Sequence, residues 1–192
     1  GWISHEKKQN ERNSLNAMSE KERVISFYAQ NPLPVCSNVT IIDKKKARLE
    51  VFATENSKPT LIYSAPIQLG ANSGDERTLI KSSGETNNKT GAGAYSIGEF
   101  ENNQFHLSAP SLNSDKGDVV FGIRASEYGV DKIISNPRAT NGELLLAQHD
   151  LESLKEYLQK DCPVLVLPET NDVSFKLQDD QLRLLPKNLG EF

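Results

Sequence analysis

Thr140-Asn141-Gly142-Glu143-Leu144-Leu145-Leu146-Ala147-Gln148-His149-Asp150-Leu151-Glu152-Ser153-Leu154 is the stretch on which the reading of the fold turns. Its second half opens an amphipathic helix spanning Gln148 to Gln159, with Leu151, Leu154, Tyr157 and Leu158 on one face. Asp161-Cys162-Pro163 breaks that helix, because the residue before a proline avoids helical backbone. Val164–Leu167 then reads as a short buried strand. Upstream, strands are expected at Val39–Ile42, Arg48–Ala53, Thr60–Leu69, Ala94–Ile97, Gln104–Leu107 and Val119–Ile123. Downstream, Phe175 to Leu185 reads as a strand pair around Asp179-Asp180. The expected class is α+β, mainly β, with one late helix.

The first forty residues differ from the rest. Lys7 to Asn16 is a polar arm, and a helix is expected over Ser19–Ala29, where Ser19 can cap and Glu22 completes a capping box. Asn31-Pro32-Leu33-Pro34 ends it. The organisation expected is a polar arm and helix over 1–38, a main domain over 39–168, and an extension over 169–192 packed on that domain.

With 192 residues there is room for one medium domain. Twenty-two basic against 26 acidic residues leave a net charge of −4, without the basic excess of a nucleic-acid binder. No apolar run approaches the ~20 residues that span a bilayer, and residues 1–8 carry no signal-peptide h-region, although a mature fragment would have lost one. Three dispersed histidines, His5, His106 and His149, form no metal-ligand spacing, so neither a metal nor another cofactor is expected. Two cysteines, Cys36 and Cys162, fit either two buried thiols or one disulfide. Lys44-Lys45-Lys46 sits in a charged hairpin tip and reads as solvated. Thr90-Gly91-Ala92-Gly93 lacks the GK[ST] of a phosphate loop, and its small residues suit a tight entry into the strand that holds Tyr95. No GxSxG elbow is present. Glu99 and Glu101, Asp179-Asp180, and Glu127 with Asp131 are acidic pairs of the kind found at turns. A glycosidase would need two such groups facing each other across a cleft.

Five segments resemble the L,D-transpeptidase (YkuD-like) domain. Arg48-Leu49-Glu50-Val51-Phe52 and Leu61-Ile62-Tyr63-Ser64-Ala65-Pro66-Ile67-Gln68-Leu69-Gly70 stand where that family has an "LxVY…G…φxxPVSxG" strand pair. Asn88-Lys89-Thr90-Gly91-Ala92-Gly93-Ala94-Tyr95-Ser96-Ile97 resembles its "TPxGxYxI" segment. Thr140 to Leu154 aligns without a gap on the catalytic motif SHGCIRLxxxDLxxL, and Cys162-Pro163-Val164-Leu165-Val166 stands for the closing strand "GTPVxI". The resemblance covers Val39 to Pro168 and implies a β-sandwich-like domain with a late amphipathic helix and an N-terminal helical extension.

The departures fall on the chemistry. The family's nucleophilic cysteine is Glu143 here, its motif histidine is Asn141, its motif arginine is Leu145, and the upstream "IHGT" histidine is Phe121. Transpeptidation needs a thiolate to take the acyl group and a base to move protons. Glu143 is a far poorer acyl acceptor, and Phe121 moves no proton. Gly142 and Gly122 are kept. The resemblance therefore implies an inactive module of the bacterial periplasm or cell envelope. Its partner would be a peptidoglycan stem peptide or an envelope protein complex, with Asn141, Gly142, Glu143, Phe121 and Tyr95 near the former cleft. An oxidising envelope would permit a Cys36–Cys162 disulfide.

Two alternatives are set beside it. In one, Glu143 is an acid/base group of a peptidoglycan or glycan hydrolase, its pKa raised by Leu144–Leu146. In the other the domain is structural, its cleft filled by Leu145, Phe121 and the Gly70–Gly93 segment. Asn72–Lys89 reads as a flap or surface loop.

Overall fold

The computed structural model describes residues 22–23, 26, 28, 30–34, 36–55, 58–77, 86–109, 119–178 and 181–187. The arm at 7–16, the Ser19 cap, the Asp179-Asp180 turn and the middle of the 72–89 segment lie outside them. Glu22, Arg23, Ser26, Tyr28 and Gln30 are helical. The strands are β1 (Leu33–Pro34), β2 (Asn38–Asp43), β3 (Arg48–Ala53), β4 (Thr60–Pro66), β5 (Leu69–Gly70), β6 (Gly93–Glu101), β7 (Gln104–Ala109) and β8 (Val119–Ala125). Helix α1 (Val130–Ser135), β9 (Arg138–Thr140), β10 (Leu144–Leu146), helix α2 (Gln148–Leu154), β11 (Pro163–Val166), β12 (Val173–Gln178) and β13 (Gln181–Pro186) complete the chain.

One eight-stranded sheet carries the fold in the order β10-β8-β7-β6-β11-β2-β3-β4. Its centre is β11, parallel to β2 and antiparallel to β6. A central strand covered on both faces reads as an unbroken apolar run. Pro163-Val164-Leu165-Val166 is such a run: Val164 and Val166 enter one core, while Leu165 enters the other. The first core lies against α2 and includes Leu49, Val51, Leu107, Ile123, Leu144, Leu151 and Leu154. The second core includes Tyr28, Val39, Ile41, Leu165, Val173 and Leu182. There the β12–β13 hairpin and the N-terminal helical residues cover the opposite face, and β1 pairs with β13. Between β6 and β7 the turn is Asn102-Asn103, both at positive φ (53° and 57°), the backbone a two-residue hairpin requires.

Three expectations change in detail. The Thr60–Leu69 strand stops at Pro66, since proline offers no N–H to continue the ladder. The chain then crosses to new partners: Gln68 exchanges two backbone hydrogen bonds with Leu145, and β5 pairs with β9. The late helix is shorter than Gln148–Gln159: α2 ends at Leu154, and Tyr157 and Leu158 lie in a turn beyond it. There is also a second helix, α1, whose one buried residue is Ile133, too little apolar periodicity to read from sequence.

The reading of the three lysines as solvated is corrected most firmly. Lys45 and Lys46 are exposed, but Lys44 is fully buried. Its Nζ donates to Gly74 O (2.8 Å), Asp75 Oδ1 (2.9 Å) and Thr90 O (2.7 Å). Glu169 Oε1 lies 3.6 Å from the same nitrogen. Arg138 forks onto Glu169 with 2.8 and 2.6 Å bonds, and Glu169 N donates to Asp75 Oδ1 (2.9 Å). The knot ties the β2–β3 hairpin, the 74–75 segment, β9 and the chain after β11 into one unit. Burial lowers the Lys44 pKa below 10.5, with the Asp75 and Glu169 carboxylates opposing it. Burial alone would raise the Glu169 carboxyl, but Arg138, Lys44 and the Gly74 N–H outweigh it and hold it below 4.5.

Candidate functional site

The Thr140–Leu146 segment is placed by strand pairing. β10 runs parallel to β8 with Leu144 opposite Ile123 and Leu145 opposite Arg124. Leu144, Leu146 and Ile123 are fully buried in the core, so alternation turns Glu143, Leu145 and Arg124 to the other face of the sheet. Glu143 is therefore not enclosed by the leucines beside it. Its carboxylate accepts a fork from Arg124, Nε to Oε2 at 2.8 Å and Nη2 to Oε1 at 2.6 Å. The group it faces is a guanidinium, not a second carboxylate.

The loop before β10 is held by hydroxyls. Thr140 Oγ1 donates to Glu143 O (2.7 Å) and accepts from Gly142 N (3.1 Å). Gly142 stands at φ +124°, a backbone that L side chains avoid, which accounts for glycine there. Thr90 Oγ1 donates to Gly142 O (2.8 Å), and Thr86 Oγ1 donates to Asn141 O (2.7 Å). The 86–90 segment thus lies directly on the Asn141–Gly142 turn. Asn141 itself is exposed.

Phe121 and Tyr95 belong to the opposite face. Phe121 packs against the first core, and Tyr95 is buried within it. The rings meet edge to face with centroids 4.5 Å apart, and Tyr95 Oη donates to Gly91 O (2.7 Å). Of the residues singled out from sequence, Asn141, Gly142 and Glu143 share one turn, while Tyr95 and Phe121 share a core contact on the other side of the sheet. Leu145 is half-buried on the Glu143 face, its backbone tied to Gln68.

Cys36 and Cys162 form a disulfide, with Cα atoms 5.9 Å apart. The chain has no other cysteine. The alternatives left open by sequence are thereby resolved, and no thiol remains to serve as a nucleophile. Among the described residues no group of His, Cys, Asp and Glu could hold a metal. No described helix is long and apolar enough to cross a membrane. Glu99 pairs with Lys160 at 2.7 Å on the surface.

Sequence reasoning missed Arg124, the Lys44 knot and Arg77. Each acts on a partner distant in the chain, and the small residues Gly91–Gly93 read from sequence only as a tight entry into a strand. The side chain of Arg77 lies over the Tyr95 ring, Cζ 5.6 Å from the centroid, and Nε donates to Ala92 O (3.3 Å).

No family model matches the chain, and no curated protein sequence does. Solved structures do. The helical cell shape determining protein Pgp2 of Campylobacter jejuni is 19% identical with a TM-score of 0.52, in its K307A mutant, over 83% of this chain and 57% of that one. The same protein without that substitution gives 18% and 0.51, over 81% and 58%. The L,D-transpeptidase of Xylanimonas cellulosilytica is 17% identical with a TM-score of 0.43, over 70% and 63%. The chain spans less than two thirds of each. At these identities the likeness concerns fold. The chain is mainly β and shares its fold with Pgp2.

Proposed function

We propose that this chain is a catalytically inactive L,D-transpeptidase-like module that binds peptidoglycan in the bacterial cell envelope. The observation that carries the reading is the fate of the thiols. Acyl transfer in this fold needs a cysteine thiolate; both cysteines of this chain are joined to each other, and Glu143 stands at the motif position with its carboxylate held by Arg124. Neither Asn141 nor Phe121 supplies the base that would move protons.

An oxidising compartment suits a disulfide between residues 126 positions apart, which supports the periplasm or envelope as its location. A neighbour in fold named as a determinant of helical cell shape points the same way. In this reading the exposed Asn141 and the partly exposed Glu143 side chain, set on the turn that Gly142 forms, meet the stem peptide, an envelope protein complex being the other partner considered. The hydrolase alternative is less favoured, because Glu143 faces a guanidinium where two carboxylates would be required.

Co-sedimentation with purified peptidoglycan sacculi tests the binding role. The chain is expected in the pellet, with Asn141→Ala and Glu143→Ala each weakening retention several-fold. Recovery of the unaltered chain wholly in the supernatant would rule peptidoglycan out as the ligand.

A further inference from the structure

Arg124 is used on one edge only. A guanidinium carries its N–H donors in a planar fork, and either of two edges can take a carboxylate side by side. Glu143 occupies the Nε–Nη2 edge. The Nη1–Nη2 edge hydrogen-bonds to no described residue, and the side chain is 47% exposed. Glu143 thus holds the plane of the group while the outer fork stays open. Glu127 adds a weaker Coulombic attraction. With two carboxylates already offsetting the charge, what the outer edge offers a ligand is fork geometry more than net charge.

The surface beside it is built by β7 and β8. Gln104 stands directly opposite Arg124 in their antiparallel register. Phe105 and Leu107 alternate into the core, so Gln104 shares the outer face of the sheet with Arg124. A Cβ on Gly122 would stand 2.9 Å from Gln104 Oε1, so the amide of Gln104 lies over that glycine. Glycine weakens a strand interior, and here it admits the amide. Gln104 is half-buried, and no described residue hydrogen-bonds its amide. An open guanidinium fork and an unused amide therefore stand side by side on one accessible face.

We propose that Arg124 and Gln104 form a recognition site for the C-terminal carboxylate of a peptide. Arg124 takes both carboxylate oxygens on its Nη1–Nη2 edge, while Glu143 keeps the other edge. Gln104 meets the last peptide group, for which its amide supplies both a donor and an acceptor. This deepens the proposed binding role and rests on it for the stem peptide as the source of that carboxylate. The site itself is tested with small acids and stands or falls independently of sacculus binding.

The test titrates the protein with N-acetylalanine and with N-acetylalaninamide, its uncharged counterpart, at constant ionic strength. Heteronuclear NMR follows the Arg124 Nε–H and the Gln104 side-chain amide. Saturable binding of N-acetylalanine is expected, with Kd on the order of 10 mM, and none of the alaninamide. Arg124→Lys keeps the charge but not the fork, and should bind at least about fivefold more weakly. Gln104→Ala should weaken N-acetylalanine about threefold and leave acetate, which has no peptide group, unchanged. Equal response to acid and amide, or undiminished binding by Arg124→Lys, overturns the proposal. Lack of saturation in the unaltered protein overturns it too, and that result needs no variant to fold. Pelleting with sacculi beside no response to N-acetylalanine would remove this site and leave the peptidoglycan reading intact, while the converse would keep the site and remove that reading.

Discussion

Replacing Lys44 with methionine is expected to cost about 3–5 kcal/mol of folding stability. The methionine would fill the space of the alkyl stem but leave Gly74 O and Thr90 O without their donor and Asp75 without its cation. Lys45→Met and Lys46→Met, on the exposed part of the same turn, should stay within about 0.5 kcal/mol. Urea unfolding of the three variants separates them, and equal losses would show that the knot carries no more than a surface turn does. The knot also has a signature in pH. Glu169 has a folded pKa below its ordinary value, so its contribution is present above about pH 4.5 and is lost as pH falls through the lower, folded pKa. Lys44 behaves in the opposite sense at the alkaline end. Burial depresses its pKa, so the unfolded chain holds the extra proton between the folded value and 10.5, and stability gains with pH across that window. Lys44→Met should remove the alkaline slope and leave the acid one, since Arg138 still holds Glu169.

Removing the disulfide is expected to cost a similar amount. Cys36 lies just before β2 and Cys162 just before β11, and these strands run parallel at the centre of the sheet, Thr40 opposite Val164. The bond therefore pins together the starts of two strands 126 residues apart in sequence. Loop closure on that scale is worth about 4–5 kcal/mol in the chain-entropy account. A Cys36→Ala/Cys162→Ala double variant, or reduction by dithiothreitol, should lower the urea midpoint accordingly while keeping the eight-stranded sheet. A change under about 1 kcal/mol would mean that packing alone sets the register of β2 and β11.

What was legible in the sequence follows from how local each signal is. β11 and the α2 stripe could be read because their partners recur at fixed short spacings: Val164 to Leu167 is an apolar run, and Leu151 and Leu154 are one turn apart. β9 and α1 were not, because Arg138–Thr140 is three residues long and α1 six, with Ile133 the one apolar side chain buried on that helix. Their positions are set by β5 and β4, elements far away in the chain. The same contrast runs through the site. The order of motif positions from Asn141 to Leu154 is a local pattern and led directly to the fold. That Glu143 meets Arg124 and that Phe121 turns to the opposite face depend on the parallel register of β10 on β8, which no local pattern encodes. Lys44 shows the limit most plainly. Three consecutive lysines look alike in sequence, and only the arrival of Asp75, Thr90 and Glu169 distinguishes the first from the others.

The direct measurement is incubation of the purified chain with tetrapeptide-containing muropeptides, read by mass spectrometry, with Glu143→Ala beside it. The proposed inactive reading predicts unchanged muropeptide masses in both samples. Cross-linked products or released residues formed by the unaltered chain and absent with Glu143→Ala would contradict that account and make Glu143 a catalytic residue.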